Sequence, residues 1–273
     1  MSLWKVARPA AWTAFRTVSR SYLLLSGRQY RFIFILGHMR SGSTLLSHIL
    51  ASHPDIVGAG EAHITYQTPA DLPQLVLKTC EFLHRPILRE TYIVDQINHP
   101  YVTDDVLRSS QIYRCIILIR DPEATIKSTM KMLKCEEQAA LDVYIRRLET
   151  LTGYGQLLGD RALLVQYDDL VDRTEETLAA VTGFLGLDSP LTSTYATHRM
   201  TGRVEGYGDP SNNIKAGQII RTQSHELALG RDTTIAAARA YCECQAALLA
   251  ASVRAISPAA VPSGCAALPA TIE

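Results

Sequence analysis

The chain has 273 residues, 47% of them hydrophobic, and its 27 Lys and Arg are balanced by 27 Asp and Glu. That length suits one α/β domain with a sizeable core, and the balanced charge argues against the broad basic field of a nucleic-acid binder. No apolar run approaches the roughly 18 residues of a membrane span, and six cysteines without a C-x-x-C pair read as free thiols in a reducing, cytoplasmic compartment.

Residues 1–29 stand apart. Lys5, Arg8, Arg16, Arg20 and Arg28 all precede the first acid, Asp55, while Trp4, Ala11, Phe15, Val18 and Tyr22 share one helical face. An amphipathic helix follows, packed on its own domain, on a second copy in a homodimer, or on a membrane surface as a peripheral contact. Residues 30–36 then form a short, almost wholly apolar run, as expected of a strand buried on both faces of a parallel sheet. The same form recurs at 114–119 and 162–167, and shorter strands are expected at 56–59 and 91–94. Helical patterns occupy 43–51, 123–133, 138–158, 175–185 and an Ala-rich stretch at 232–256. Strands alternating with helices imply right-handed crossovers and a three-layer α/β/α domain with a central parallel sheet over residues 30–256. Residues 64–90 and 190–220, carrying Pro69, Pro73, Pro86, Pro190 and Pro210, read as irregular connections or lids. Residues 257–273 read as a loose tail.

The chemistry begins at FIFILGHMRSGSTLLSHIL, residues 32–50, where Gly37 and Gly42 bracket a loop between strand and helix. Such a loop offers a nest of backbone N–H groups at a helix N-terminus, which favours a phosphate. Ser41, Ser43 and Thr44 add hydroxyl donors, and Arg40 adds a permanent guanidinium. The pattern departs from the P-loop G-x-x-x-x-G-K-S/T because Ser43 stands where the lysine belongs. A second departure lies at IILIR. An ATPase or kinase would end this strand in a magnesium-binding carboxylate, whereas this one ends in Arg120. Asp121, followed by Pro122 and Glu123, reads as a helix N-cap. Two anions and no metal are the expectation. Cys242 and Cys244 in AYCECQ fall short of a four-ligand zinc pattern.

With these residues in hand, the segment 32–63, FIFILGHMRSGSTLLSHILASHPDIVGAGEAH, resembles the 5′-phosphosulfate loop of sulfotransferases that use 3′-phosphoadenosine 5′-phosphosulfate (PAPS), particularly the bacterial and tyrosylprotein branches. RDPEATIKS resembles that family's 3′-phosphate element, which implies this role for Arg120 and Ser128. LLVQYDDLVDRTEETLAAVTGFLGL is similar to its next strand, turn and helix, implying an adenine contact for Tyr167. GYGDPSNNIKAG, with Lys215, resembles the loop that closes over the nucleotide. The resemblance covers about residues 30–220. It implies the P-loop-like sulfotransferase fold, PAPS as donor, adenosine 3′,5′-bisphosphate as product and no metal. It also implies in-line transfer to a hydroxyl or amine of a small-molecule or glycan acceptor.

In the same register Glu61 falls on the catalytic glutamate of the tyrosylprotein enzymes, and Arg40 with the loop N–H groups would stabilise the leaving phosphate. His63 is the competing base, its ordinary pKa near 6.5 suiting that work. His53 is expected to be structural. Many relatives carry a lysine where VDQINHP places Gln96, so a cation such as Lys215 would have to complete the site unless Arg40 suffices. A kinase with a deviant P-loop using ATP and magnesium, or a nucleotide-binding scaffold without turnover, are the alternative readings.

Overall fold

The computed structural model describes residues 4–198, 201, 208–209, 211–221 and 228–256, with side chains from residue 11 onward. The elements run α1 (Trp4–Leu25), β1 (Arg31–Gly37), α2 (Ser43–Ala51), β2 (Ile56–Gly58), α3 (Leu72–Leu83), β3 (Tyr92–Ile97), α4 (Asp104–Arg108), β4 (Ile112–Ile119), α5 (Pro122–Leu133) and α6 (Glu137–Leu158). They continue with β5 (Ala162–Gln166), α7 (Tyr167–Asp172), α8 (Thr174–Leu185), α9 (Asn212–Lys215), α10 (Arg231–Ala250) and β6 (Arg254–Ala255). Among the described residues the sheet has six strands in the order β2-β3-β1-β4-β5-β6, every pair parallel.

The apolar strand runs follow from this burial. On β1, Phe32, Phe34 and Leu36 enter the core beneath α3, α5, α6 and α10, while Ile33 and Ile35 enter the core beneath α2 and α8. β4 divides in the same way, with Cys115, Ile117 and Ile119 on one side and Ile116 and Leu118 on the other. A strand covered on both faces has no solvent side on which to place polar residues. The result is the expected three-layer α/β/α domain.

Strand order also locates the chemistry. From β1 the chain passes through α2 to β2 and β3 on one side, then crosses back to β4 on the other side of β1. Loops leaving the carboxyl ends of β1 and β4 therefore diverge, and a crevice at such a switch point is where α/β sheets bind ligands.

Several expectations need correction. Residues 64–90 are not wholly irregular, because α3 lies within them. Pro73 occupies its first turn, where a missing N–H costs nothing, and Leu72, Leu75, Val76 and Cys80 recur at helical spacing on the core side. The Ala-rich helix stops at Ala250, and Arg254–Ala255 forms the edge strand β6 beside β5. Cys80, Cys115, Cys135 and Cys244 are free thiols, but Cys242 is disulfide-bonded, so the reading of six free cysteines fails there. Cys244 faces the core, whereas Cys242, two residues away on the helix, is only half-buried. Residues 257–273 lie outside the described residues. The N-terminal helix α1 packs on α3 through an Arg16–Glu81 ion pair at 2.7 Å and through Phe15 and Leu23. No helix among the described residues is long and apolar enough to cross a membrane.

One buried cation ties the layers to the strand ends. Arg147 on α6 donates from Nε to the Gly37 carbonyl at 2.8 Å and from Nη2 to the Ile97 carbonyl at 2.7 Å. Both carbonyls lie at the carboxyl ends of central strands, where the ladder no longer provides donors. Burial lowers the pKa of this guanidinium, the cost of holding a charge there. Replacing Arg147 with Met strands two buried acceptors and is expected to destabilise the fold by about 2–4 kcal/mol. Urea denaturation with an unchanged m-value checks this, and a change below about 0.5 kcal/mol would assign the arginine no structural part.

Candidate active site

The carboxyl ends of β1, β3, β4 and β5 each deliver part of one site. From β1 comes the loop 37–44. Gly42, at φ 94°, precedes the first turn of α2, and a Cβ there would meet the Tyr167 ring at 2.3 Å. Gly37 is equally constrained, since its Cβ would fall 2.6 Å from Ser41 Oγ. Arg40 adopts the left-handed region at φ 66°, uncommon for a residue with a Cβ. Ser41 is fully buried, yet its hydroxyl has no hydrogen-bond partner. A buried orphan hydroxyl in a glycine-bracketed loop at a helix N-terminus fits a cradle for an anion.

Two arginines meet at this loop. Arg40 Nε donates to Ser128 Oγ at 2.8 Å, and its Nη2 pairs with Asp209 Oδ2 at 2.9 Å. Arg120, just beyond β4, donates from Nη1 to the Arg40 carbonyl at 3.1 Å and lies 4.3 Å over the Tyr167 ring. Its backbone N–H donates to His38 Nε2 at 3.1 Å, while His38 Nδ1 donates to the Met39 carbonyl at 2.8 Å. Burial pushes the His38 pKa down to about 4, so the ring stays neutral and keeps its acceptor. The structure thus brings Arg40, Ser41, Gly42, Ser43, Thr44, Arg120, Ser128 and Tyr167 to one place. Asp121 caps α5 as expected, accepting from the Ala124 N–H at 2.8 Å.

Lys215 is exposed on the short helix α9. From that segment it is Asp209 that reaches the loop, where its N–H also donates to Thr44 Oγ1 at 3.3 Å. Nothing in the residue pattern singled out Asp209, although it lies inside the GYGDPS motif.

The second half of the site surrounds Glu61, whose side chain is only 12% exposed. His99 Nε2 lies 3.5 Å and His63 Nδ1 4.0 Å from Glu61 Oε1, and Gln96 Nε2 lies 3.5 Å from Oε2. Burial raises the carboxyl pKa, and the neighbouring histidines together with hydrogen bonds from Asn98 and Gln96 oppose that rise. The supporting loop is fixed by buried Asp95, which accepts from the Ala62 N–H at 2.9 Å and from the Tyr66 hydroxyl at 2.7 Å. Asn98 links the two halves, because its Oδ1 sits 3.3 Å from the place of a Cβ on Gly37. Glu61 and His63 are therefore one cluster, which the sequence reading had set as rivals. His99 and Asn98 went unnoticed, although both stand in VDQINHP beside Gln96. His53 is structural as expected, bonding Ser189 and accepting from the Asp55 N–H.

The model of the sulfotransferase family matches residues 33–78, the strand, loop and Glu61 segment just described. The fold is similar to the sulfotransferase domain of the Synechococcus PCC 7002 olefin synthase, 23% identical, with a TM-score of 0.52 over 76% of this chain and 92% of that one. It is also similar to the sulfotransferase domain of the curacin biosynthetic pathway, 22% identical, with a TM-score of 0.55 over 78% of this chain and 98% of that one. A search of curated proteins returned no match. The sulfotransferase resemblance of the loop and the three-layer sulfotransferase fold both stand.

Because Asp209 holds Arg40, an incoming anion must compete with a carboxylate already in place. Asp209→Asn keeps an acceptor for the Ser211 N–H, now made by Asp209 Oδ1 at 2.9 Å, but removes the charge. It is expected to tighten binding of adenosine 3′,5′-bisphosphate about three- to tenfold, the worth of a partly exposed ion pair. Titration calorimetry reads this directly. Weaker binding would mean that Asp209 positions Arg40 for its ligand instead of occupying it.

Proposed function

We propose that this chain, with its sulfotransferase fold and phosphate loop, transfers the sulfonyl group of PAPS to a hydroxyl or amine of a small-molecule or glycan acceptor without a metal. The observation that carries the reading is the meeting of Arg40, Ser128 and Arg120 at the ends of β1 and β4. A donor with anions at both its 5′ and 3′ ends matches two guanidiniums. A magnesium nucleotide matches less well, since β4 is followed by Arg120 where a metal-binding carboxylate would be expected and Asp121 caps α5. The similar domains of an olefin synthase and the curacin pathway are in keeping with a setting in natural-product biosynthesis.

The donor, when bound, supplies an activated sulfonyl group on a phosphate leaving group. The loop N–H groups with Ser41, Ser43 and Thr44 would hold the 5′ end. Arg40 would stabilise the charge that develops on the leaving phosphate oxygen, and being always protonated it acts as a fixed charge and not as an acid. Arg120 and Ser128 would take the 3′-phosphate, with Tyr167 beside the base. Glu61 accepts the acceptor's proton. Burial raises its pKa and so makes it a stronger base than an exposed carboxylate, while His63 and His99 favour its ionised form.

Wild-type protein is expected to bind adenosine 3′,5′-bisphosphate more tightly than ADP. Arg120→Ala should erase that preference, a loss of about 10- to 100-fold for one charge-assisted contact. Calorimetry with both nucleotides measures it, and equal affinities in the wild type would overturn the donor assignment.

A second prediction concerns the base. Glu61→Gln should lower kcat about 10²- to 10⁴-fold with nucleotide affinity unchanged. Because the folded pKa is raised above 4.5, the acid limb of the kcat/KM profile should lie above that pH, with activity falling as pH drops through it. His63 lowers the Glu61 pKa, so His63→Gln should move the limb to higher pH. A limb unmoved in His63→Gln and absent in neither variant would assign the proton to another group.

A further inference from the structure

Beside His63 the chain encloses a cavity of about 430 Å³ between α1 and α3, well within the range of small-molecule sites. His63 lines it and at the same time stands 4.0 Å from Glu61, so one side chain borders both the cavity and the proposed base. Ile64 and Leu77 give it apolar walls suited to a carbon skeleton. Its charges are unequal: Arg16, Arg20 and Lys78 face a single acid, Glu81. Glu81 is taken up by Arg16 at 2.7 Å. Lys78 hydrogen-bonds the Ala62 carbonyl, a neutral partner that leaves its charge uncancelled. Arg20 makes no ion pair among the described residues.

We propose that this cavity is the acceptor site, and that the acceptor carries an anionic oxygen group, a carboxylate or a phosphate, held by Arg20 and Lys78 while its nucleophilic hydroxyl or amine reaches toward Glu61. The assignment of the anion as an acceptor rests on the sulfotransferase reading. An anionic acceptor gains charge-assisted hydrogen bonds from both cations that a neutral one cannot make. The N-terminal helix then serves recognition as well as packing, since it contributes both Arg16 and Arg20.

The chain provides its own reporter. Both tryptophans, Trp4 and Trp12, lie on α1, and the guanidinium of Arg16 sits 5.9 Å over the Trp12 ring. Protein saturated with adenosine 3′,5′-bisphosphate, so that the phosphate loop is filled, would be titrated with 6-hydroxyhexanoate, 6-hydroxyhexyl phosphate and 1,6-hexanediol while tryptophan fluorescence is followed. The better anion should bind about tenfold more tightly than the diol, and Arg20→Glu and Arg20→Ala should both lose that preference. Which anion binds better identifies carboxylate or phosphate. Arg20 is exposed, so neither variant endangers the fold, and calorimetric affinity for the bisphosphate should be unchanged in both. If the diol binds as well as the anions, or the Arg20 variants keep the preference, the proposal fails while the donor assignment stands. If the anions bind as expected but the protein does not prefer the 3′-phosphate, the sulfotransferase reading fails and the acceptor assignment falls with it.

Discussion

Two like charges brought to one loop set the terms for the rest of this site. Arg40 and Arg120 are linked through the Arg40 carbonyl, and the only carboxylate that pairs with either among the described residues is Asp209, on Arg40. Arg40 is held by Ser128 as well as by Asp209, and Arg120 by the Tyr167 face and its His38-bound backbone. The pair concentrates positive charge at one glycine-bracketed loop. The neutral state of His38 matters here, since a protonated ring would lose its acceptor and add a third positive charge.

Much of what is local in this fold was readable from the residues. The run from β1 through Gly37 and Gly42 into α2 is one continuous segment in which strand composition, glycine spacing and helix pattern agree. Arg120 and Ser128 share a helix start whose Asp121-Pro122 signal is equally local. What escaped notice depends on pairing between distant segments. Asn98 and His99 matter only because β3 lies beside β1, with Ile35 opposite Gln96, which carries the end of VDQINHP up to Glu61. Asp209 is 169 residues from Arg40, and no periodicity links them. The helix α3 was obscured by its prolines, because Pro73 reads as a breaker until the first turn is known to tolerate it. β6 pairs with β5 through only two residues and leaves too short a pattern to detect.

Glu61 shows how a carboxylate is tuned by opposing effects. Burial works against its charge, and His63, His99, Gln96 and Asn98 work for it, with burial prevailing. Asp95, one strand face away and pushed up to about 7 by its own burial, repels Glu61 while anchoring the loop that carries it. Two carboxyl groups in one neighbourhood thus have different work. One is fully enclosed and bonded to Tyr66 and Ala62. The other stays partly open to solvent.

The neutral side chain at position 96 fits this balance. A lysine there would place an ammonium near Glu61, within reach of the carboxylate that the amide now contacts at 3.5 Å. A full positive charge at that distance in a buried setting would hold the carboxyl pKa down and weaken it as a base. Gln96 donates a hydrogen bond without adding a full charge, so the Glu61 carboxyl is set by burial against His63, His99 and the hydrogen bonds of Asn98 and Gln96. The two kinds of group are separated in space: fixed positive charge collects at the ends of β1 and β4, and the carboxylate with its histidines collects at the end of β3.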